Sequence, residues 1–486
     1  MNSTTVRRLT AAIAIAIAAP TFAHTSYVVS GFSRTAETNP AIDRVFATYD
    51  RTDSPGCALA VFRNGAIAYE RGYGMADLEH DVPIAPDTVF YIGSVSKQFT
   101  AFAAARAIQQ GLLAADDSIR KYLPELPDYA QWITVRHLVH HTSGLRDFYT
   151  LLAIAGRRQD ELFDNAAVLR AAARQKNLNF PPGSDYLYSN TGYALLATIV
   201  GRAAGSSFGA FVDANIFKPL GMTSSHVHDD ESRLVKRRAY GYTQSATGEL
   251  RLDTPAGERV GAGGVFTTVR DLLRWDENFY DARVGGRALI DRIQVPGALA
   301  DGTPLTYAWG LQIATYRGQP IVEHGGSLGG YRAHLIRFPA QHVSIASLCN
   351  LAAITPATLA RQVADVVLAD RLTEPKPAAA ATPQGARGSA GRDDAGPAVA
   401  GSAALFDYTG AYYSDEIDAT FTVTAKDGHL LLRRDPDADA APLQLTAPNQ
   451  FRFRGMTVRF TRAASGIVEG LVVDAGRVRD IRFVKR

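Results

Sequence analysis

The chain has 486 residues, with 51 Lys and Arg against 48 Asp and Glu, a net charge of +3, 46% hydrophobic residues and 20% charged ones, the balance of a soluble folded protein. That near-neutral charge, with no run of Lys or Arg longer than three residues, lacks the electrostatic footprint of a nucleic-acid binder, and no apolar run reaches membrane-spanning length. Two cysteines, Cys57 and Cys349, are too few for a disulfide framework or a Cys-rich metal site.

The length exceeds one usual core, so two domains are expected. At the N-terminus, Arg7 and Arg8 precede an Ala/Ile run from Leu9 to Ala19 that Pro20 breaks. Thr21-Phe22-Ala23 then offers small residues for cleavage, so residues 1–23 read as a signal peptide and imply export to a periplasm or the medium. Two apolar runs, Ala58 to Phe62 and Ala66 to Tyr69, flank Asn64-Gly65 and predict a hairpin. Residues from about Ser94 to Val284 read as mostly helical, with Pro/Gly loops. Strands are expected over Ala308 to Thr315, Ile321 to Glu323, His334 to Phe338 and Val343 to Leu348, followed by an amphipathic helix from Ala357 to Ala369. Two early and four late strands around a helical insertion describe one antiparallel sheet in an α+β fold.

From Thr373 to Ala403, 21 of 31 residues are Ala, Pro, Gly or Ser, too little apolar surface to offset ordering entropy, so this stretch is expected to be a flexible linker. Beyond it, short alternating runs such as Thr420 to Thr424, Phe451 to Phe453, Val458 to Phe460, Leu471 to Val473 and Ile481 to Phe483 predict a small antiparallel β-domain over 404–486.

Three motifs compete for the chemistry. His137, His140 and His141 have the i, i+3, i+4 spacing of a metal face, but no glutamate stands where a zinc protease needs its base. They read as a helix end and turn, and neither a metal nor a cofactor is expected. Gly325-Gly326-Ser327-Leu328-Gly329 matches G-x-S-x-G, yet the residues after it alternate like a strand rather than opening a helix, so a glycine-rich hairpin is the expectation. S-x-x-K occurs twice. Ser118/Lys121 follows Asp116-Asp117 and is stopped by Pro124, which describes a capped surface turn.

Ser94/Lys97, by contrast, follows an apolar strand and opens a long run of helix formers. That places Ser94 at a helix start and Lys97 one turn on, on the same face. Helix-end N–H groups stabilise developing negative charge and depress the pKa of a lysine pointing at them. The competing reading is an N-cap serine with a solvated lysine. Further on, Tyr188 and Asn190 alternate onto one side just ahead of an apolar helix, where a phenol can take part in proton transfer. In His324-Gly325-Gly326-Ser327 the glycines permit close approach at a strand edge.

Taken in order, Ser94-Val95-Ser96-Lys97, Tyr188-Ser189-Asn190 and His324-Gly325-Gly326 resemble the three motifs of the serine β-lactamase and penicillin-binding protein superfamily, in particular its class C-like peptidase and esterase branch. Satellite segments His141 to Leu145, Gly261 to Val265 and Ala308 to Leu311 add to the likeness, which covers about residues 40–370 and implies a catalytic domain over 38–372. The β-domain resembles, more weakly, the lipocalin-like appendages of D-aminopeptidase-type members.

The resemblance implies an acyl-enzyme on Ser94, proton transfer shared by Lys97 and Tyr188, and orientation by Asn190. It also implies an oxyanion hole from the N–H groups of Ser94 and Ser327, with His324, Gly325 and Gly326 lining the substrate. His324 replaces the usual lysine and is mostly neutral at pH 7.5. Esters, amides or D-amino-acid peptides, including ones derived from the cell wall, are therefore expected in preference to β-lactams. The alternative function on the same scaffold is a non-catalytic envelope protein that binds or regulates peptidoglycan. The resemblance also brings the strands of Cys57 and Cys349 toward one another, while two separate buried thiols are the default.

Overall fold

The computed structural model describes residues 39–161, 164–255, 257, 259–373 and 405–486. The leader expected over 1–23 lies outside them, as does the expected linker apart from Thr373. After a first helix, α1 (Pro40–Phe46), the expected hairpin forms from β1 (Cys57–Arg63) and β2 (Ala66–Tyr73), turning at Asn64 and Gly65, both in the left-handed region. Helices α2 (Ser96–Gln109), α3 (Phe148–Ala155), α4 (Asn165–Ala173), α5 (Asn190–Ala204) and α6 (Val269–Asp281) follow. A short three-stranded sheet, Phe90–Tyr91 with Val265–Thr267 and His226–Val227, runs among them. The late strands β3 (Gln312–Tyr316), β4 (Gln319–Leu328), β5 (Tyr331–Phe338) and β6 (Val343–Cys349) precede α7 (Pro356–Val367).

The six strands make one antiparallel sheet in the order β3-β4-β5-β6-β1-β2. β1 reads as a continuous apolar run because both its faces are covered. Ala58, Ala60 and Phe62 join the core that holds α2 and α6, whereas Cys57, Leu59 and Val61 join the one that holds α1 and α7. Cys57 and Cys349 lie directly opposite in the β1–β6 register and are disulfide-bonded, so the default of two separate thiols is corrected. Strand β3 begins at Gln312 rather than Ala308. The segment before it is irregular because Gly310 sits at φ +72°, where an added Cβ would lie 2.5 Å from the Lys97 carbonyl. The G-x-S-x-G match is the β4–β5 hairpin, as its alternation implied. Ser118 caps a short 3-10 turn and Lys121 pairs with Asp117.

Beyond residue 404 come β7 (Gly410–Ser414), β8 (Ala419–Lys426), β9 (His429–Arg434), β10 (Ala441–Pro442), β11 (Gln444–Ala447), β12 (Gln450–Phe453), β13 (Met456–Arg462), β14 (Val468–Ala475) and β15 (Val478–Lys485). Their order is β10-β9-β8-β7-β15-β14-β13-β12-β11. The two edge strands are consecutive in the chain, so the sheet curls into a nearly closed barrel, which leaves little free edge. Its core takes in Leu151, Ile154 and Ala155, the apolar side of α3, so the barrel is docked on the helical layer. Among the described residues no single helix is long and apolar enough to cross a membrane.

Candidate active site

Ser94 sits in a single 3-10 turn, Gly93–Val95, that feeds directly into α2. Gly93 adopts φ +52°, and a Cβ there would stand 2.5 Å from the Ser327 nitrogen. One on Gly326 would lie 3.0 Å from the Ser94 nitrogen and 2.0 Å from the Ile92 carbonyl. Only glycines allow this close approach, which brings the end of β4 against the start of α2 and sets the backbones of Ser94 and Ser327 side by side.

Lys97, the second residue of α2 and one turn past Ser94, is fully buried. Its Nζ is 2.9 Å from Asn190 Oδ1, 2.7 Å from the Ala262 carbonyl oxygen and 3.1 Å from Ser94 Oγ. Burial holds its pKa well below the ordinary lysine range. The Arg477 charge pushes the same way and Asp147 opposes it. Asn190 begins α5, whose N-cap Ser189 accepts from Gly192 N–H. Its amide is fixed by Asp147, whose Oδ2 accepts from both the backbone N–H and Nδ2 of Asn190, leaving Oδ1 to face the lysine. Asp147 is itself the N-cap of α3.

The Tyr188 ring lies 4.8 Å from Lys97 Nζ, measured to its centroid. Burial pushes its phenol up, while the Ser94 hydroxyl and Arg477 pull it down. His324 is buried on β4. Its Nδ1 is 2.7 Å from the Gly325 carbonyl, which can only accept, so Nδ1 carries the proton and Nε2 accepts from the Tyr307 hydroxyl at 3.0 Å. Burial, followed by the Lys97 charge, lowers its pKa to about 4, so it is neutral near pH 7. Ser94, Lys97, Tyr188, Asn190, His324, Gly325, Gly326 and Ser327 are thus brought together from two helix starts, the segment before α5 and one strand.

Further residues join this cluster. His141 follows the helix Val135–Val139 at φ +60°, so the three histidines do stand at a helix end and turn. It is buried against the rings of Tyr188, Tyr193 and Tyr307, at centroid distances of 4.2, 4.9 and 4.6 Å. Its Nδ1 accepts from Ser189 N–H, and Nε2 has no partner among the described residues. Burial holds its pKa well down. Asp147 could have been found as a helix cap before an apolar run. Tyr307 lies outside every motif, and Arg477 reaches the cluster from the barrel, where nothing local marks it. A lysine whose pKa is held down, beside a serine hydroxyl and with the backbones of Ser94 and Ser327 side by side, is equipped for nucleophilic attack on a carbonyl.

A family model described as Beta-lactamase matches residues 42–369. The chain is 28% identical over 303 residues to a D-aminopeptidase of Gluconobacter oxydans, covering 62% of this chain and 56% of that protein. It is 30% identical over 312 residues to penicillin-binding protein 4* of Bacillus subtilis, covering 61% and 68%. The chain therefore spans little more than half the length of the D-aminopeptidase. Among solved structures, a penicillin-binding protein homologue from Pyrococcus abyssi superposes with a TM-score of 0.59 at 22% identity, over 89% of this chain and 96% of that one. The D-amino acid amidase of Ochrobactrum anthropi SV3 does so with 0.58 at 22%, over 69% and 100%. With the three ordered motifs inside the matched span, and that span taking in most of the chain, the chain belongs to the beta-lactamase family.

Proposed function

We propose that the protein is a secreted serine hydrolase that forms an acyl-enzyme on Ser94 and cleaves an amide or ester, a D-amino-acid peptide or a small ester, in preference to β-lactams. The observation that carries this reading is the setting of Lys97 Nζ. Two of its three neighbours, Asn190 Oδ1 and the Ala262 carbonyl, can only accept, so a neutral amine spends both N–H groups on them. Nζ donates to Ser94 Oγ at 3.1 Å while protonated, and on losing that proton it turns its lone pair to the same hydroxyl. An unprotonated base facing a hydroxyl at this range is what an activated serine needs.

In this reading Ser94 Oγ bonds to the substrate carbonyl carbon as its proton passes to Lys97. The carbonyl oxygen gains the negative charge, held by the N–H groups of Ser94 and Ser327, each worth about 3 kcal/mol. The proton then moves through Tyr188 to the leaving nitrogen or oxygen, the C–N or C–O bond breaks, and the amine or alcohol departs. Water attacks the remaining ester by the reverse relay, releasing the acid and restoring Ser94. Ser327 serves through its amide, not its hydroxyl.

The substrate class is supported by relatives named D-aminopeptidase and by a neutral His324, which offers no charge to the carboxylate that β-lactams carry. Export is supported by the basic start and Ala/Ile run of residues 1–23 and by the Cys57–Cys349 disulfide, a bond at home in oxidising compartments. The test is a screen of p-nitrophenyl esters, D-amino-acid p-nitroanilides and penicillins against wild type, Ser94→Ala and Ser327→Ala. Ser94→Ala is expected to abolish turnover and Ser327→Ala to keep most of it. Retained turnover in Ser94→Ala refutes the nucleophile, and penicillin turnover as fast as ester hydrolysis refutes the substrate preference. Amino-terminal sequencing checks export, with the mature chain expected to start after Ala23.

A further inference from the structure

The barrel sends one residue into the cluster around Ser94. Strands β14 and β15 pair Ala475 with Val478, so Gly476 and Arg477 form a two-residue turn, with Gly476 at φ +46°. That turn is clamped to the helical layer. Asn179 uses both ends of its amide, donating through Nδ2 to the Arg477 carbonyl at 3.0 Å and accepting at Oδ1 from Arg479 N–H at 2.8 Å. Arg146, fully buried, donates to the carbonyls of Arg479 and Asp480 and to Glu416 Oε2. A tip held by this many directed bonds places its side chain reproducibly.

The Arg477 guanidinium lies 3.6 Å from Asp147 Oδ2, the oxygen that orients Asn190, and 4.9 Å from the Tyr188 ring centroid. Its side chain remains one-third exposed, so part of its five-donor fork is open to solvent. The other basic groups beside Ser94 do not offer a fixed charge. Lys97 is buried in its cradle, and His324 and His141 are held neutral by burial. The acidic group facing Arg477 is Asp147, at a distance that leaves the fork room for a second carboxylate.

We infer that Arg477 is a specificity residue contributed by the C-terminal barrel, which binds a carboxylate on the leaving-group side of the substrate, as an amino acid released from the end of a short peptide carries. The inference rests on the acyl-enzyme reading above, because Tyr188, on whose ring Arg477 lies, is there the group that hands the proton to the departing nitrogen. A planar guanidinium suits a carboxylate through paired N–H bonds in a way a histidine on β4 does not. The β-domain is thus part of the substrate site.

The experiment uses the full-length protein and two D-alanyl anilides with the same acyl group, one of p-nitroaniline and one of 5-amino-2-nitrobenzoic acid, which adds a carboxylate to the leaving group. The readout is the ratio of kcat/KM for the anionic over the neutral substrate, in which any general loss of activity cancels. Arg477→Ala is expected to lower that ratio about tenfold or more, the effect of losing a charge-assisted bond. Arg477→Glu should lower it further, and Arg477→Lys should keep part of it. A ratio within twofold of wild type in both Arg477→Ala and Arg477→Glu overturns the inference while leaving the hydrolase reading intact. A wild-type protein that turns over neither anilide and takes no adduct on Ser94 overturns both.

Discussion

Asp147 and Asn190 are joined twice through one oxygen, Asp147 Oδ2, which accepts from both the backbone N–H and the side-chain amide of Asn190 at 2.8 Å each. This pair decides which end of the Asn190 amide faces Lys97. Asp147→Ala frees the amide to turn, and we predict a 10- to 100-fold fall in kcat, the scale of a misplacement near the reacting atoms. The sign of a second effect follows from charge. Asp147 raises the Lys97 pKa, so its removal should move the acidic limb of the kcat/KM profile to lower pH. An unchanged kcat and an unmoved limb contradict this role.

Stability should depend on pH through the buried histidines. Burial lowers His140 and His324 from 6.5 to about 4 and His226 to about 3. A depressed base binds its proton in the unfolded chain first. The stability it contributes is therefore complete above about pH 6.5 and is lost as pH falls toward the folded value. Urea unfolding at pH 4.5, 5.5, 6.5 and 7.5 is expected to show stability rising through this window, by about 1.4 kcal/mol per pH unit for each histidine that must discharge. Stability that is flat or falling from pH 4.5 to 6.5 contradicts the assignment.

The Cys57–Cys349 bond ties neighbouring strands across a sequence separation of 292 residues. Closing so long a loop constrains the unfolded chain strongly, so the double substitution to alanine should cost about 2–5 kcal/mol. Equilibrium unfolding of the oxidised wild type against the double variant measures it. A difference below about 1 kcal/mol, or two titratable thiols in the denatured wild type without reductant, counts against the bond.

Arg146 and Glu416, both buried, join the helical layer to the barrel. Replacing Glu416 by alanine leaves the guanidinium with the Arg479 and Asp480 carbonyls and Gln175 Oε1 as acceptors, but without its ion-pair partner. A loss of about 3–5 kcal/mol is expected, as for other buried pairs broken from one side. The variant should also lose part of its turnover of anilides with a charged leaving group, since Arg146 holds the hairpin that carries Arg477. A melting temperature and kinetics equal to wild type contradict the docking role.

Local chemistry made much of this legible in the amino-acid sequence. The Asn64-Gly65 turn, the apolar β1 with its two covered faces, the helix opening at Ser94 and the alternation that turned Gly325–Gly329 into a hairpin all depend on neighbours a few residues away. Ser94, in the turn that feeds α2, and Lys97, in its first turn, are three residues apart, so their pairing was readable too. What was not readable depends on distant segments. Asp147 meets Asn190 across 43 positions, Tyr307 reaches His324 only through the irregular segment that Gly310 imposes, and Arg477 arrives from a separate β-domain after a stretch of low-complexity chain. Pairing of the cysteines likewise waits on the sheet order that places β6 beside β1.

The central claim is that Ser94 is acylated, and mass spectrometry of the intact protein tests it most directly. After incubation with a fluorophosphonate or an activated D-amino-acid ester, the wild type should gain one adduct, mapped by peptide digestion to Ser94. Ser94→Ala should gain none, and Ser327→Ala should label as the wild type does. A wild type that takes no adduct, or an adduct that persists in Ser94→Ala, contradicts the account and leaves a binding protein on a hydrolase scaffold in its place.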